Sequence, residues 1–415
     1  MKEKLVMIGN GMAGVRTIEE LLKIAPDMYD ITIFGDEPYG NYNRILLSPV
    51  LAGEKTIDDI MLNTKEWYED NNITLHAGKK VTEINRINRT VTAADSIVVN
   101  YDRLLIATGS QPFIIPVPGH DKEGVIAFRD IKDVDTMLDA AKNYKNATVI
   151  GGGLLGLEAA NGLMQHGMNV TVVHLGDTLM ERQMDKVSGK MLKSSLEEKG
   201  MDFRMQAQTA EIIGNGRVSG IKFADGSAID TDLVVMAVGI RPNFSLAEKA
   251  GLHCERGIVV NDTLQTYDPR VYAVGECVQH RSNTYGLVAP LFEMAKVCAN
   301  HLAQMGIGLY EGSVTSTKLK VTGIDLFSAG NFIGDETTEE MVMQDASSGL
   351  YKKLVIKDDR LIGAVLYGDT KEGAWYFQLM RSEQDISDIR DKLIYGESHL
   401  GDSGHGGDHI AAISD

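Results

Sequence analysis

The sequence predicts an α/β protein built from two copies of a parallel-strand nucleotide fold, and three observations predict it. A short apolar strand opens twice onto a Gly-x-Gly-x-x-Gly loop and a helix, at residues 9–14 and 151–156. Each copy closes with the same strand, glycine turn and proline, NYDRLLIATGSQP from Asn100 and DTDLVVMAVGIRP from Asp230. Glycine is raised, with 43 copies in 415 residues, and loops of this kind give that excess a structural use. A chain of this length suits two or three domains at roughly 150 residues each.

In the first copy, the strand Lys4 to Ile8 meets Gly9, Gly11 and Gly14, then a helix over Val15 to Ile24 and a strand over Asp30 to Phe34. The three glycines have separate reasons: a tight turn at Gly9, close backbone approach to a pyrophosphate at Gly11, and tight helix–strand packing at Gly14. The helix N-terminus then faces the phosphates with unpaired amides and the positive end of its dipole. Asp36 or Glu37, after the second strand, is placed to accept from a ribose hydroxyl.

The second copy repeats the unit with the strand Ala147 to Ile150, then Gly151, Gly153 and Gly156, a helix over Leu157 to His166 and a strand over Asn169 to His174. Hairpin-like stretches, Val81 to Val99 and Thr209 to Ile229, precede the closing strands, whose turns carry Gly109 and Gly239. Two units in register make two bound nucleotides the expectation.

The formal charge is −17, from 41 basic and 58 acidic side chains, which argues against a nucleic-acid surface. The opening MKEKLVMIGNGMAG has too short an apolar stretch for a signal peptide and reads as a buried strand. No apolar run approaches the ~20 residues of a membrane span, so neither membrane nor nucleic-acid partners are expected, and the expected location is cytoplasmic. Cys254, Cys277 and Cys298 form no CxxC or CxxxxC pair, which argues against a disulfide scaffold, a zinc ribbon or an internal iron–sulfur cluster. No metal site is expected; His399, His405 and His409 suggest one by composition alone.

These motifs resemble the two-dinucleotide FAD/NAD(P)H oxidoreductases, the broad family of glutathione, ferredoxin and rubredoxin reductases. A third signature strengthens the resemblance: PRVYAVGEC, residues 269–277, looks like the family's second FAD segment, with Glu276 where Asp is usual. The resemblance covers about residues 3 to 395. It implies Rossmann-like FAD and NAD(P)H domains, the second inserted in the first, plus a small α+β C-terminal domain. The expected boundaries are 1–118 with 244–316 for FAD, 119–243 for NAD(P)H, 317–395 for the C-terminal interface domain and 396–415 for a flexible tail.

Carried over residue by residue, the resemblance implies FAD contacts from Gly9, Gly11, Gly14, Asp36 or Glu37, Arg44, Ser48, the backbone at Val81, Ala107, Thr108, Gly109, Arg129, Gly275 and Glu276. Arg44 and Arg129 suit a diphosphate. The helix opening near Pro290 is similar to one whose N-terminus points at the flavin pyrimidine. Glu158 resembles a family Glu at the nicotinamide–flavin junction and is the candidate catalytic residue. Ferredoxin reductases often pair that Glu with a Lys just after the segment aligned to Leu47-Ser48, where this chain has Pro49. Specificity for NADH or NADPH normally rests on the end of the second strand of the NAD(P)H half. His174 stands there, and the expectation is NADH with tolerance for NADPH.

The relay cysteines of the disulfide reductases are missing, so the electrons are expected to leave the flavin for an external carrier, a cluster on the same assembly, or oxygen. The segments YGNYNRILLSPVLAGEK, HLGDTLMERQMD, YAVGECVQHR and TKLKVTGIDLFSAG are similar to the N-terminal flavin module of the large subunit of NAD(P)H-dependent assimilatory nitrite reductase. In that family the module feeds iron–sulfur and siroheme domains. The resemblance therefore implies an iron–sulfur/siroheme partner in nitrate assimilation. A stand-alone rubredoxin or ferredoxin reductase and a redox-sensing flavin module are the alternatives. Lys318, Lys320, Lys352 and Lys353 are candidates for a local basic docking face, and some relatives suggest a homodimer through residues 317–395.

Overall fold

The computed structural model describes residues 2–400 apart from Val314 and Ala346, and leaves the side chains of Lys320 and Val321 undescribed. His405 and His409, with the rest of 401–415, lie outside the described residues. The chain forms two compact units, residues 1–177 with 197–313 and residues 178–196 with 314 onward.

In the first unit β1 (Glu3–Ile8) leads into α1 (Met12–Ile24) and back along β2 (Tyr29–Phe34). The short helix α2 (Leu47–Leu51) is followed by β3 (Thr74–His76) and β4 (Arg103–Ile106). The second copy runs through β5 (Val125–Ala127), α3 (Ile131–Asn143), β6 (Asn146–Ile150), α4 (Leu154–Gln165) and β7 (Asn169–Val173). After α5 (Lys186–Glu198) it resumes with β8 (Asp202–Arg204) and β9 (Leu233–Met236), and β10 (Val271–Ala273) and α6 (Val288–Leu302) follow.

Two parallel five-stranded sheets result, in the orders β10-β4-β1-β2-β3 and β5-β9-β6-β7-β8. In each, the strand that opens onto a glycine loop lies at the centre, between the closing strand and the second strand. Leu5, Val6, Met7, Leu104, Leu105, Val149, Val234 and Val235 are all fully buried, as strands covered on both faces require. The first sheet is completed by β10, 165 residues beyond β4. Sequence patterning places β10 only through its match to a family segment.

The hairpin-like stretches are three-stranded antiparallel sheets, Val81–Asn85, Thr90–Ala93 and Val98–Asn100 in one copy and Thr209–Ile213, Gly220–Phe223 and Ala228–Asp230 in the other. Their turns contain residues that tolerate positive φ, Gly226 at +87° among them. The two closing turns pair with each other, Ser110 opposite Pro242 and Pro112 opposite Ile240. The prolines are tolerated because this ribbon is only two strands wide.

The second unit is a five-stranded antiparallel sheet of β11 (Ser316–Val321), β12 (Ile324–Gly330), β13 (Glu339–Asp345), β14 (Leu350–Lys357) and β15 (Arg360–Tyr367), in the order β11-β12-β15-β14-β13. Helix α7 (Gly373–Arg381) buries Tyr376 and Leu379 against Phe327, Leu354, Ala364 and Leu366. Segment 178–196 belongs to this unit although its neighbours in sequence do not. The buried Asp185 carboxylate accepts from Ser188 N at 3.0 Å, Ser188 Oγ at 2.6 Å and Tyr351 Oη at 2.6 Å. Among the described residues no helix is long and apolar enough to cross a membrane.

Candidate nucleotide sites

Each glycine loop shows the same division of labour. Gly9 has φ +106°, and a Cβ there would lie 2.1 Å from Ala107 O; Gly151 has φ +123°, and a Cβ there would lie 2.2 Å from Ala237 O. Both are excluded to side chains by sterics and by backbone conformation. At Gly14 a Cβ would meet Ala107 Cβ at 2.8 Å, and at Gly156 it would meet Gly151 O at 2.0 Å. Gly11 and Gly153 differ: a Cβ on either meets nothing within 4 Å. These two are the N-caps of α1 and α4, neither helix has a side-chain cap, and neither carries an acid in its first turn. An open glycine before uncapped helix amides is an anion cradle, and both cradles fit the diphosphate of a dinucleotide.

The charged residues expected around the first cradle form one connected chain. Glu37 accepts from Tyr42 Oη at 2.7 Å and pairs with Arg44 at 2.5 Å. Arg44 Nη1 donates to Arg129 O at 2.7 Å, and Arg129 pairs with Glu276 at 2.5 Å. Ser110 Oγ donates to the same Glu276 oxygen at 2.7 Å. The extra methylene of Glu over Asp lengthens the reach of residue 276 toward these partners. Asp36 stands apart, exposed and paired with Lys80 at 3.0 Å, so Glu37 is the acid of the two that joins the cluster. Gly275, φ +88°, would bring a Cβ to 3.0 Å from Ala13 Cβ, which sets the second segment against the start of α1.

The remaining candidates hold backbone or bridge positions. Val81 is buried. Thr108 Oγ1 donates to Asn243 O at 2.6 Å, and Gly109 O accepts from Asn243 N at 2.9 Å. Gly239 has φ +115° with open space where a Cβ would lie. His174 is buried, and its Nδ1 accepts from Gly152 N at 3.1 Å, so it is tied to the second glycine loop itself. Ser48 Oγ donates to Glu158 Oε2 at 2.5 Å. Burial pushes the Glu158 carboxyl above the usual carboxylate range, and the Ser48 bond offsets part of that.

Tyr42, Ser110 and Asp133 escaped the sequence reading. Asp133 accepts from Arg129 N at 2.7 Å and closes the capping box of α3 with Asp130. Burial and the neighbouring Asp130 push it up to about 6. The spacing Asp130 to Asp133 is a legible cap signal. Tyr42 and Ser110 carry no such mark.

The architecture and both cradles point to one family, and a sequence profile described as "Pyridine nucleotide-disulphide oxidoreductase" matches residues 3–302. The chain belongs to the pyridine nucleotide-disulphide oxidoreductase family. Membership makes it an oxidoreductase that uses FAD and NADH or NADPH. A second profile, "Rubredoxin NAD+ reductase C-terminal domain", matches residues 316–384. Nitrite reductase [NAD(P)H] of Bacillus subtilis is 54% identical over 387 residues, covering 93% of this chain and 48% of that protein. The assimilatory nitrate reductase electron transfer subunit of the same organism is 45% identical over 397 residues, 96% of this chain and 52% of that protein. The chain thus spans about half the length of these relatives. Among solved structures, the covalent putidaredoxin reductase–putidaredoxin complex superposes with a TM-score of 0.84 at 26% identity, covering 95% of this chain and 96% of that one.

Within this family the cysteines of this member are notable. All three are free; Cys277 and Cys298 are buried and Cys254 partly so. Burial pushes all three thiols up, Cys254 to about 11, which keeps them protonated and poorly nucleophilic. The basic docking face is corrected by the structure. Lys353 is buried and paired with Glu340 at 2.7 Å, and Lys352 is half-buried with its Nζ donating to Ile394 O at 2.9 Å. Lys318 is exposed, and the side chain of Lys320 lies outside the described residues. Among the described residues no three His, Cys, Asp or Glu side chains converge as metal ligands.

Proposed function

We propose that this chain is the electron-input module of a nitrite-reductase-type system, taking a hydride from NADH or NADPH and passing electrons to an iron–sulfur/siroheme partner. The observation that carries the reading is the pair of open, uncapped glycine cradles in a chain whose three thiols are all poorly suited to relay electrons. Bound FAD supplies the switch from two-electron to one-electron chemistry, and the chain supplies binding, orientation and electrostatics. Arg44 and Arg129 neutralise the diphosphate, with Glu37 and Glu276 holding both guanidinium groups in place. Gly9, Gly11, Gly14, Gly275 and the backbone of 107–109 and Val81 line the FAD site; Gly151, Gly153, Gly156, Gly239 and His174 line the NAD(P)H site, with Glu158 at the junction. The corresponding domains are 1–118 with 244–316, 119–243, and 317–395, and the location is the cytoplasm.

Stopped-flow bleaching of bound FAD by NADH tests the hydride step, and absence of bleaching would leave only a sensing role. Nitrite-dependent NADH oxidation with a separately supplied iron–sulfur/siroheme module then tests the destination. The match at residues 316–384 favours a second reading, a rubredoxin or ferredoxin reductase. Rapid turnover with rubredoxin alone, with none through the siroheme module, would establish that reading instead. Comparing kcat/KM for the two donors tests the preference for NADH, which a tenfold advantage for NADPH would overturn.

A further inference from the structure

Three contacts run along one face of α4 at helical spacing. Glu158 accepts from Ser48 Oγ at 2.5 Å. One turn on, Gly162 leaves room for Leu51, whose Cγ would lie 2.6 Å from a Cβ there. At the next turn, His166 Nε2 donates to Leu51 O at 2.7 Å. Positions i, i+4 and i+8 of a helix share a face, so α2 of the first nucleotide fold is seated along α4 of the second, and Ser48 is aimed at Glu158 by two anchors beyond it.

Among the described residues no cation acts on Glu158. It is the only charged residue of α4, and α2 (LSPVL), β6, β7 and β9 contribute no ionisable side chain. Helix α3, which also packs here, carries Lys132, Asp133, Asp135, Asp139 and Lys142, and none of them acts on Glu158. Ser48 is buried, so its hydroxyl cannot be exchanged freely for water.

We infer that Ser48 is a positioning residue for Glu158: its hydroxyl, set by the Gly162 and His166 contacts to Leu51, holds the Glu158 carboxyl in one orientation at the seam of the two nucleotide folds. The inference rests on the reading of residues 9–14 and 151–156 as the FAD and NAD(P)H cradles. Ser48 donates to Oε2, so that a proton taken up by the carboxyl goes to Oε1. Two effects compete, burial favouring the acid and the Ser48 bond favouring the carboxylate, and burial is the larger.

The test is an infrared titration of the FAD-loaded chain, following the carbonyl band of protonated carboxyls, with E158Q identifying the band. The expected result is a Glu158 band whose midpoint lies above the ordinary carboxylate range. S48A moves its midpoint upward by about one pH unit, a tenfold change in proton affinity. S48T, which keeps a hydroxyl, restores the wild-type midpoint. FAD content and thermal midpoint confirm that each variant is folded and loaded. In the same samples S48A changes the pH profile of flavin bleaching by NADH, and E158Q flattens it. A midpoint indifferent to S48A, or one that S48T fails to restore, overturns the inference. Failure of the wild type to bind FAD overturns the functional reading, while the titration of the apoprotein still reports on the Ser48–Glu158 pair.

Discussion

Gly9 and Gly11 stand two residues apart and answer opposite demands. At Gly9 both φ and the 2.1 Å approach to Ala107 O exclude a side chain, whereas Gly11 has β-region backbone and open space. G9A is therefore expected to destabilise the protein by about 3 kcal/mol or more. G11A should leave the apoprotein within about 0.5 kcal/mol of wild type while costing about 1.5–3 kcal/mol of FAD binding, roughly 10- to 100-fold. Chemical unfolding of the apoproteins and fluorescence titration with FAD separate the two effects; equal losses of stability in both variants would remove Gly11 from the cradle.

Asp133 gives a second prediction at this scale. Its folded-state pKa, about 6, lies above the ordinary 3.8. Its contribution to stability is thus full below 3.8 and is lost as pH rises through 6. Partial exposure limits the loss to about 1–2 kcal/mol. D133N keeps an acceptor for the Arg129 and Asp130 amides without ionising. The stability of wild type relative to D133N should fall by that amount between pH 4 and pH 7, measured by urea unfolding at each pH.

At the scale of elements, local periodicity and long-range pairing part company. The strand–loop–helix–strand units are legible because buried parallel strands and glycine turns each leave a mark within a few residues. Arg44, Glu37, Arg129 and Glu276 are legible as individual candidates through resemblance, but Arg129 and Glu276 are 147 positions apart, and nothing local says that they pair. The same holds for Ser48 and Glu158, 110 positions apart, and for the ribbon joining residues 110–112 to 240–242. Helix α5 is the least legible. Its buried Leu192 and Leu196 suit a crossover helix of the second nucleotide fold, yet Asp185 ahead of it is bonded to Tyr351 on β14. Y351F leaves a buried carboxylate oxygen without that donor, at a cost of about 1–3 kcal/mol. Hydrogen exchange should show lost protection in residues 186–196 with little change in β1 or β6, whereas unchanged protection would mean that Tyr351 does not anchor the segment.

For the whole molecule, the division into two units has a consequence for any shortened form. Ending the chain at residue 313 removes Tyr351 and Tyr367, which bond Asp185 and Ser195, from a segment whose Leu179, Met180, Met184, Leu192 and Leu196 are buried. The expected outcome is a species that still binds FAD but is cleaved by protease within 178–196 and self-associates through the uncovered apolar face. A monodisperse, protease-resistant product in scattering and limited-proteolysis experiments would show that the segment finds cover elsewhere.

The polypeptide passes from one unit to the other after residues 177, 196 and 313. For a gene, that means the exchangeable part is not one continuous stretch. A recombination event that swaps the C-terminal sheet for a relative's also has to bring a matching block of 19 codons from the middle of the second nucleotide fold. A hybrid that ignores this carries an Asp185 and a Tyr351 of different ancestry. Chimeras of this chain are therefore best drawn with two inserts that travel together.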